Sequence, residues 1–236
     1  MSLKTCIINY AHGAWHPRGQ ARLLKSLDDT GFSDTRFAWQ SHEDLGCPSH
    51  QEVPYAFKPY ALEHANSTGY KLVLWCDASV WAIKSLQPVF DHLACHSHLF
   101  FYVPYGGSKG PNNNNIGTWT SDACLQGFNL NRDLTMDIPM LVGGCFGLNL
   151  TTFAAQEFLH RWLEKSKDGF SFPGAWDNKQ QQVSKDPRCL GHRHDQSVAS
   201  IIAHALGMEY TLGTDSYFSY LMPDMKDSVS LVCQGM

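Results

Sequence analysis

The sequence predicts an α/β fold in which a mixed, mainly parallel sheet is flanked by helices. Short apolar runs that suit strands alternate with segments whose apolar residues recur at helical spacing. The run Leu72–Cys76 is continuously apolar, as is typical of a strand buried on both faces of a sheet. The 236 residues are 43% hydrophobic and 17% charged, a composition that supports a large core. We expect residues 1–236 to form one domain.

The first half of the chain alternates strand and helix signals. Thr5–Tyr10 predicts the first strand, and a polar, glycine-rich loop separates it from a helix over residues 20–30. Residues 35–40 suit a second strand, and a helix ends shortly before Leu72–Cys76. A further apolar segment and a helix over residues 86–95 follow that strand.

The second half continues this alternation. Residues 99–103 predict a buried strand, and the glycine- and asparagine-rich stretch 105–115 is a candidate lid. An apolar strand over residues 140–146 leads to an amphipathic helix over residues 151–164. The last helix continues from Gln196 onward. We expect these two strands to join the first strand and the buried strand in one sheet.

Asp77 directly follows the buried strand, at the edge of the sheet where α/β proteins bind their ligands. Ser79 lies two residues on, and the next apolar segment begins at Val80. The side chains of this corner can therefore face a ligand. Asp is also common in turns, so capping of the turn is the alternative role of Asp77.

Two later stretches also combine polar groups with close backbone approach. Gly143 and Gly144 interrupt an apolar strand, and glycine in a strand marks a bulge or a nearby ligand. Asp195 stands at the amino end of the last predicted helix, where unpaired amides and the helix dipole favour a carboxylate. The His-Arg-His run at 192–194 precedes it, so Asp195 is either a helix cap or a functional carboxylate.

The order of these features resembles the GT-A-type glycosyltransferases over roughly residues 5–207. The glycogenin-like family has an apolar strand, Asp-Ala-Asp and a second strand, and this chain has Asp-Ala-Ser at 77–79 in the same context. The sequence His-Asp-Gln-Ser at 194–197 is similar to the His-Asp-Glu-Ser pattern of the blood-group and α-galactosyl type. The resemblance implies a GT-A-like (Rossmann-like) fold and a transferase that uses a nucleotide-sugar donor.

The resemblance also implies which residues bind the donor. Asp77 and Ser79 would contact the ribose and a divalent metal, Mn²⁺ or Mg²⁺, with His192 as a further metal ligand. Because Ser79 replaces a carboxylate of the family pattern, metal binding should be weaker.

The strand and loop at the amino terminus hold the base and ribose in such enzymes. This assigns Asn9 and Tyr10 to the nucleoside, with Tyr10 stacking on the base, and Arg18 to a phosphate. Lys58 matches the position of a basic residue that meets the diphosphate.

The remaining implied roles concern the transferred sugar and the acceptor. Asp195 would lie near the sugar as a hydrogen-bonding group or as a base, and His194 would assist at the diphosphate. Gly143 and Gly144 would lie beneath the sugar, where their backbone amides can bind hydroxyl groups. The acceptor would be a glycan or another compound with a hydroxyl group.

Two other functions fit parts of the sequence. Imidazole and carboxylate groups suit a catalytic divalent metal, so His192, His194 and Asp195 also fit a metal-dependent hydrolase. A non-catalytic carbohydrate-binding protein is the third possibility, if Ser79 marks the loss of a metal site.

Composition argues against several classes of partner. The net charge is −4 and there is no basic stripe, so we expect no nucleic-acid binding. No apolar run reaches the ~20 residues of a membrane span. The eight cysteines form no Cys-x-x-Cys pair and no secretory leader is evident, so we expect reduced thiols and a cytoplasmic location.

Overall fold

The computed structural model describes residues 3–103, 114–212, 217–220 and 226–234. The candidate lid lies largely outside these residues. The α-helices within them are α1 (His16–Asp29), α2 (His42–Leu45), α3 (Phe57–Ser67), α4 (Gln87–Cys95), α5 (Asp122–Gly127), α6 (Phe153–Lys165) and α7 (His194–Ala205). The strands are β1 (Thr5–Tyr10), β2 (Thr35–Trp39), β3 (Leu72–Cys76), β4 (Val80–Ala82), β5 (His98–Leu99), β6 (Phe101–Tyr102), β7 (Cys145–Asn149), β8 (Thr211–Leu212), β9 (Phe218–Tyr220) and β10 (Leu231–Cys233).

The main sheet has the strand order β2-β1-β3-β7-β5. Strand β1 pairs in parallel with both β2 and β3, whereas β7 is antiparallel to β3 and to β5. Only β7 therefore runs against the other strands of this sheet. The prediction of a mixed, mainly parallel sheet flanked by helices is confirmed.

Alternate residues of the central strands face opposite sides of the sheet, as the period of a strand requires. Ile7 and Leu74 pack on one side with α1 and α4, and Ile8 and Trp75 pack on the other with α3, α6 and α7. All four are at most 1% exposed. Burial of each such side chain contributes about 1.5–3 kcal/mol to folding, so the two faces fix the register of the strands.

The glycine-containing strand differs from its predicted position. It covers Cys145–Asn149 rather than residues 140–146, and Gly143 and Gly144 form a turn before it. The physical reason is that the carbonyls of this turn accept hydrogen bonds from Lys58 Nζ and the Asp77 N–H instead of from a neighbouring strand.

The predicted strand 99–103 is divided between two sheets. Strand β5 joins the main sheet, while β6 pairs in parallel with β8 in a separate two-stranded sheet. A third sheet, in the order β4-β10-β9, continues from the corner after β3. Within the described ranges, no helix has the length and apolar character needed to cross a membrane.

Candidate active site

The carboxyl ends of β1 and β3 meet at one edge of the main sheet and are tied together by Asn9. Its side-chain Nδ2 donates to the carbonyl of Cys76 at 2.6 Å, and its Oδ1 accepts from Gln20 Nε2 at 2.8 Å. Asn9 is 1% exposed, so its amide serves to join the strand ends. This bond joins the end of β1 to the residue that precedes Asp77.

Asp77 is held by its neighbours in a fixed orientation. Its N–H donates to the carbonyl of Gly144 at 2.7 Å, and its Oδ1 accepts from Trp75 Nε1 at 2.7 Å. The carboxylate therefore bonds to the indole of its own strand rather than serving only as a cap of the turn. About a third of the side chain, 35%, remains exposed, so Asp77 can meet a ligand.

Lys58 occupies the centre of the site. Its Nζ lies 2.8 Å from Asp195 Oδ2 and 3.6 Å from Asp77 Oδ1, and it donates to the carbonyl of Gly143 at 2.8 Å. Only 4% of its side chain is exposed. As placed, the Lys58 ammonium is buried and bridges two carboxylates, so the expected contact with a diphosphate is not seen here and stays untested.

The charges of this cluster are strongly interdependent. Burial alone would lower the pKa of Lys58, but the carboxylates of Asp195 and Asp77 raise it well above its usual value. Burial raises the pKa of the Asp195 carboxyl, and the ammonium of Lys58 works against that rise. Lys58 is therefore protonated at neutral pH.

Asp195 is the second residue of α7 and is not the helix cap. The N-cap is Arg193, and the Asp195 carboxylate is directed to Lys58. Its own carbonyl accepts from Trp162 Nε1 at 3.1 Å, and the residue is 3% exposed. The cap-only interpretation of Asp195 is therefore wrong.

His192 is a structural histidine. Its Nδ1 accepts from the N–H of Ser121 at 3.2 Å, and its Nε2 donates to the carbonyl of Ser171 at 3.0 Å. Burial lowers the pKa of His192 to about 3, so the ring is neutral. The interpretation of His192 as a metal ligand is wrong, because both ring nitrogens are bound to the backbone.

His194 is the first residue of α7, and its backbone has a φ of 46°, in the left-handed region. Its Nδ1 lies 2.9 Å from the carbonyl of Phe172; since a carbonyl only accepts, Nδ1 carries the proton. Burial lowers the pKa of this histidine. Within the described part of the chain no three His, Cys, Asp or Glu residues are grouped to hold a metal. The hydrolase centre on His192, His194 and Asp195 is not assembled.

Gly143 lies against Lys58, and Gly144 lies against Asp77. A Cβ at Gly143 would be 3.4 Å from Lys58 Nζ, and one at Gly144 would be 3.4 Å from Asp77 Oδ2. The carbonyls of these glycines, rather than their amides, make the hydrogen bonds described above. Binding of sugar hydroxyls by their amides stays a prediction.

The aromatic candidate near β1 is Tyr10 and the basic candidate is Arg18. The structure places both differently from expectation. Tyr10 is 8% exposed and its ring stacks on Phe57, with centroids 4.3 Å apart. As placed, this ring is buried rather than presented to a base. Arg18 is exposed in the first turn of α1, where its guanidinium carbon lies 5.4 Å from the Trp15 ring centroid rather than at the carboxylate cluster.

Ser79 and a basic residue that the sequence analysis missed form the outer side of the corner. Ser79 Oγ accepts from Cys233 Sγ at 3.3 Å. Arg22, one turn after Arg18 on the same face of α1, donates to the carbonyl of Ser79 at 3.1 Å. The spacing of four residues from Arg18 was the signal that could have identified it.

The chain matches no protein-family model and no curated protein. Among solved structures, it is similar to mouse xyloside xylosyltransferase 1 in its apo form, with a TM-score of 0.52 and 8% identity over 98% of each chain. It is also similar to the WbbM bifunctional glycosyltransferase, with a TM-score of 0.52 and 8% identity over 99% of this chain. The chain spans about half of that protein, 46%. These likenesses show the fold, which is a GT-A-like glycosyltransferase fold.

Proposed function

We propose that the protein is a glycosyltransferase that moves a sugar from a nucleotide-sugar donor to an acceptor hydroxyl. The observation that carries the proposal is the cluster of Asp77, Lys58 and Asp195 at the carboxyl edge of β3, within a glycosyltransferase fold. The partly exposed carboxylate of Asp77 lies where sheets of this class bind ligands. Perturbed pKa values of buried charged groups cluster at functional sites.

In the proposed reaction, the acceptor oxygen forms a bond to the anomeric carbon as the bond from that carbon to the diphosphate breaks. The nucleoside diphosphate leaves with the electron pair, and the proton of the acceptor hydroxyl passes to a base. Asp77 contacts the donor at its ribose or at a metal. Asp195 faces the transferred sugar, and its raised pKa suits a group that takes up a proton.

Asp195 has a second possible role that uses the same position. Its carboxylate can hydrogen-bond the hydroxyls of the sugar while Lys58 holds it in place. In both roles Lys58 is a positioning residue, because it contacts the carboxylates and not the substrate. His194, whose Nε2 is left as an acceptor, is proposed to assist at the diphosphate.

A divalent metal, Mn²⁺ or Mg²⁺, fits this corner only if the substrate supplies some of its ligands. Asp77 supplies a partly exposed carboxylate, and Ser79 supplies a hydroxyl two residues on. Mg²⁺ is commonly held by one or two carboxylates together with substrate phosphates, so this donor set is sufficient once a diphosphate is present. A metal bound there would neutralise the charge on the leaving diphosphate.

The test is incubation of the protein with a panel of sugar nucleotides, with and without Mn²⁺, followed by detection of the released nucleoside diphosphate. A transferase shows release with one donor, as transfer or as slow hydrolysis. Binding without release would support the carbohydrate-binding protein instead. Neither binding nor release with any donor would refute the proposal.

The cytoplasmic location and the single domain remain predictions. All eight cysteines of the chain are free thiols, and seven of them are buried. Free thiols suit a reducing compartment. Measurement of the thiol oxidation state in protein from its native source would test the location.

A further inference from the structure

A cluster of aromatic side chains, Tyr55, Trp176 and His194, lies at the rim of the carboxylate cluster. The ring centroids are 5.4 Å apart for Tyr55 and His194, 5.9 Å for Trp176 and His194, and 6.4 Å for Tyr55 and Trp176. We refer to these three residues as the aromatic platform. Trp176 is 49% exposed, so the platform has an open side.

The platform is next to the groups that are proposed to act on the sugar. Lys58 Nζ lies 5.5 Å from the centroid of the Tyr55 ring and 2.8 Å from Asp195 Oδ2. His194 precedes Asp195 directly at the start of α7. The platform therefore lies next to the ammonium of Lys58, which lies between the Asp195 and Asp77 carboxylates.

Trp176 also contacts Arg193. The guanidinium of Arg193 lies 3.8 Å from the Trp176 ring centroid and 3.7 Å from that of Trp119. The two tryptophans enclose the same cation, yet Trp119 is 5% exposed and Trp176 is 49% exposed. Trp176 therefore keeps about half of its surface exposed although it contacts Arg193, Tyr55 and His194.

The backbone beneath the platform is closely packed. A Cβ at Gly191 would lie 1.9 Å from the carbonyl oxygen of Trp176, so only glycine permits this approach. Arg193 also donates to the same carbonyl. Trp176 is therefore exposed on a backbone that is fixed by its neighbours, which reduces the entropy lost when a ligand binds.

Two members of the platform have strained backbones. Tyr55 has a φ of 62° and His194 a φ of 46°, values that are unusual for bulky residues. The N–H of Tyr55 donates to Nδ1 of His50 at 3.2 Å, which holds this conformation. Such strain is concentrated at functional sites.

We propose that the aromatic platform is the acceptor subsite and that it takes a sugar ring, so that the acceptor is a glycan. This inference rests on the proposed glycosyl transfer. A sugar ring has an apolar face of C–H groups and a polar rim of hydroxyls. Aromatic rings pack against the face, while charged groups at the edge of the ring cluster bind the hydroxyls. The exposed Trp176 offers the first, and the partly exposed Asp77 carboxylate, 3.6 Å from Lys58 Nζ, offers the second.

The experiment measures binding of simple glycosides directly, independently of transfer. Methyl glycosides of glucose, xylose, galactose and N-acetylglucosamine are titrated into the whole protein and followed by saturation-transfer NMR. The variants are Trp176→Ala, Trp176→Phe and, as a matched control, Phe153→Ala, which removes an aromatic residue that is 82% exposed elsewhere. Tyr55→Leu provides a second test if Trp176→Ala does not fold.

We expect at least one glycoside to bind the unchanged protein and the Phe153→Ala variant equally. Trp176→Ala should weaken that binding about tenfold or more, and Trp176→Phe should retain part of it because a smaller face remains. Absence of binding by every glycoside, or binding that Trp176→Ala leaves unchanged, would overturn the proposal.

Failure of this inference and failure of the proposed function give different results. Release of nucleoside diphosphate by the unchanged protein without acceptor reports on the transferase alone. Donor turnover without glycoside binding would refute the platform as a sugar site and favour a non-sugar acceptor. Glycoside binding that depends on Trp176, without turnover of any donor, would support the platform and refute the transferase.

Discussion

Lys58 is the residue on which the geometry of the candidate site depends most. Its ammonium lies between Asp195 and Asp77, and the carbonyl of Gly143 is its third contact. A buried ion pair of this kind adds little net stability, but removal of one partner leaves an uncompensated charge. Lys58 therefore holds both carboxylates in place. Its removal should destabilise the protein, because a buried carboxylate then has no counter-charge.

Replacement of Lys58 by methionine should destabilise the protein by about 3–5 kcal/mol at neutral pH, because Asp195 is left buried without a counter-charge. The free energy of unfolding in urea measures this. Lys25→Met is the matched control, since the Lys25–Asp29 pair is exposed and should contribute no more than about 0.5 kcal/mol. Equal stability of the two variants would show that the buried ion pair does not exist.

His192 should make the stability of the protein depend on pH. Burial lowers the pKa of the folded state to about 3, whereas the unfolded chain takes up a proton below about 6.5. The stability from this group is therefore complete above pH 6.5 and is lost as the pH falls, by about 1.4 kcal/mol per unit. Urea unfolding between pH 7 and pH 4 measures the loss.

His192→Gln should remove this part of the pH dependence, although the variant is less stable at every pH. His160→Gln, at an exposed position on α6, should keep the slope of the unchanged protein. Identical slopes for His192→Gln and the unchanged protein would mean that His192 is exposed or charged in the folded state.

At the scale of elements, the corner between β3 and β4 is the proposed site of a metal. Asp77 directly follows β3 and Ser79 directly precedes β4, so both residues are held between strands of two sheets. Ser79→Asp would add a second carboxylate near the donor diphosphate. Hard divalent ions prefer oxygen ligands, so the added group should strengthen metal binding.

A thermal-shift titration with Mn²⁺ tests this, with and without a mixture of nucleoside diphosphates. In the unchanged protein, Mn²⁺ should raise the melting temperature only when a diphosphate is present. In Ser79→Asp, the shift should occur at a several-fold lower Mn²⁺ concentration. Ser85→Asp adds a carboxylate at an exposed position nearby and should change nothing. Equal titrations for all three proteins would refute a metal at this corner.

The elements themselves were largely predictable, because their signals are local. The apolar run Leu72–Cys76 became β3 with every residue buried, and Asp77 lies at its carboxyl end as predicted. Strand β7 was misplaced, since its start depends on bonds from Lys58 and Asp77 to the preceding glycine turn. Such bonds join residues far apart in the sequence and leave no periodic pattern.

The chemistry of single residues was predicted less well, for a related reason. From the sequence alone, a lysine before a proline is expected at the surface. Tertiary packing instead leaves Lys58 only 3% exposed. The sequence predicts His192 as a metal ligand, but its ring nitrogens form hydrogen bonds with backbone groups of Ser121 and Ser171. Side-chain identity shows what a residue can bind, whereas its actual partners depend on the whole fold.

At the scale of the molecule, the site exists only when distant parts of the chain have folded together. Lys58 comes from α3, Asp77 follows β3, Gly143 precedes β7 and Asp195 belongs to α7. The main sheet and its helices bring these four segments to one edge. Residues 1–236 as a single domain remain a prediction, and limited proteolysis of the native protein would test it.

The central claim is that Asp77 binds a sugar nucleotide, and Asp77→Asn tests it most directly. The measurement is the rate of nucleoside diphosphate release from the best donor of the panel, together with the melting temperature. Asp91→Asn is the control, because the Asp91 carboxylate is exposed on α4 and accepts a hydrogen bond from Gln87. We predict a loss of about a hundredfold or more in Asp77→Asn with a nearly constant melting temperature, and no loss in the control. Full release by Asp77→Asn would contradict the account.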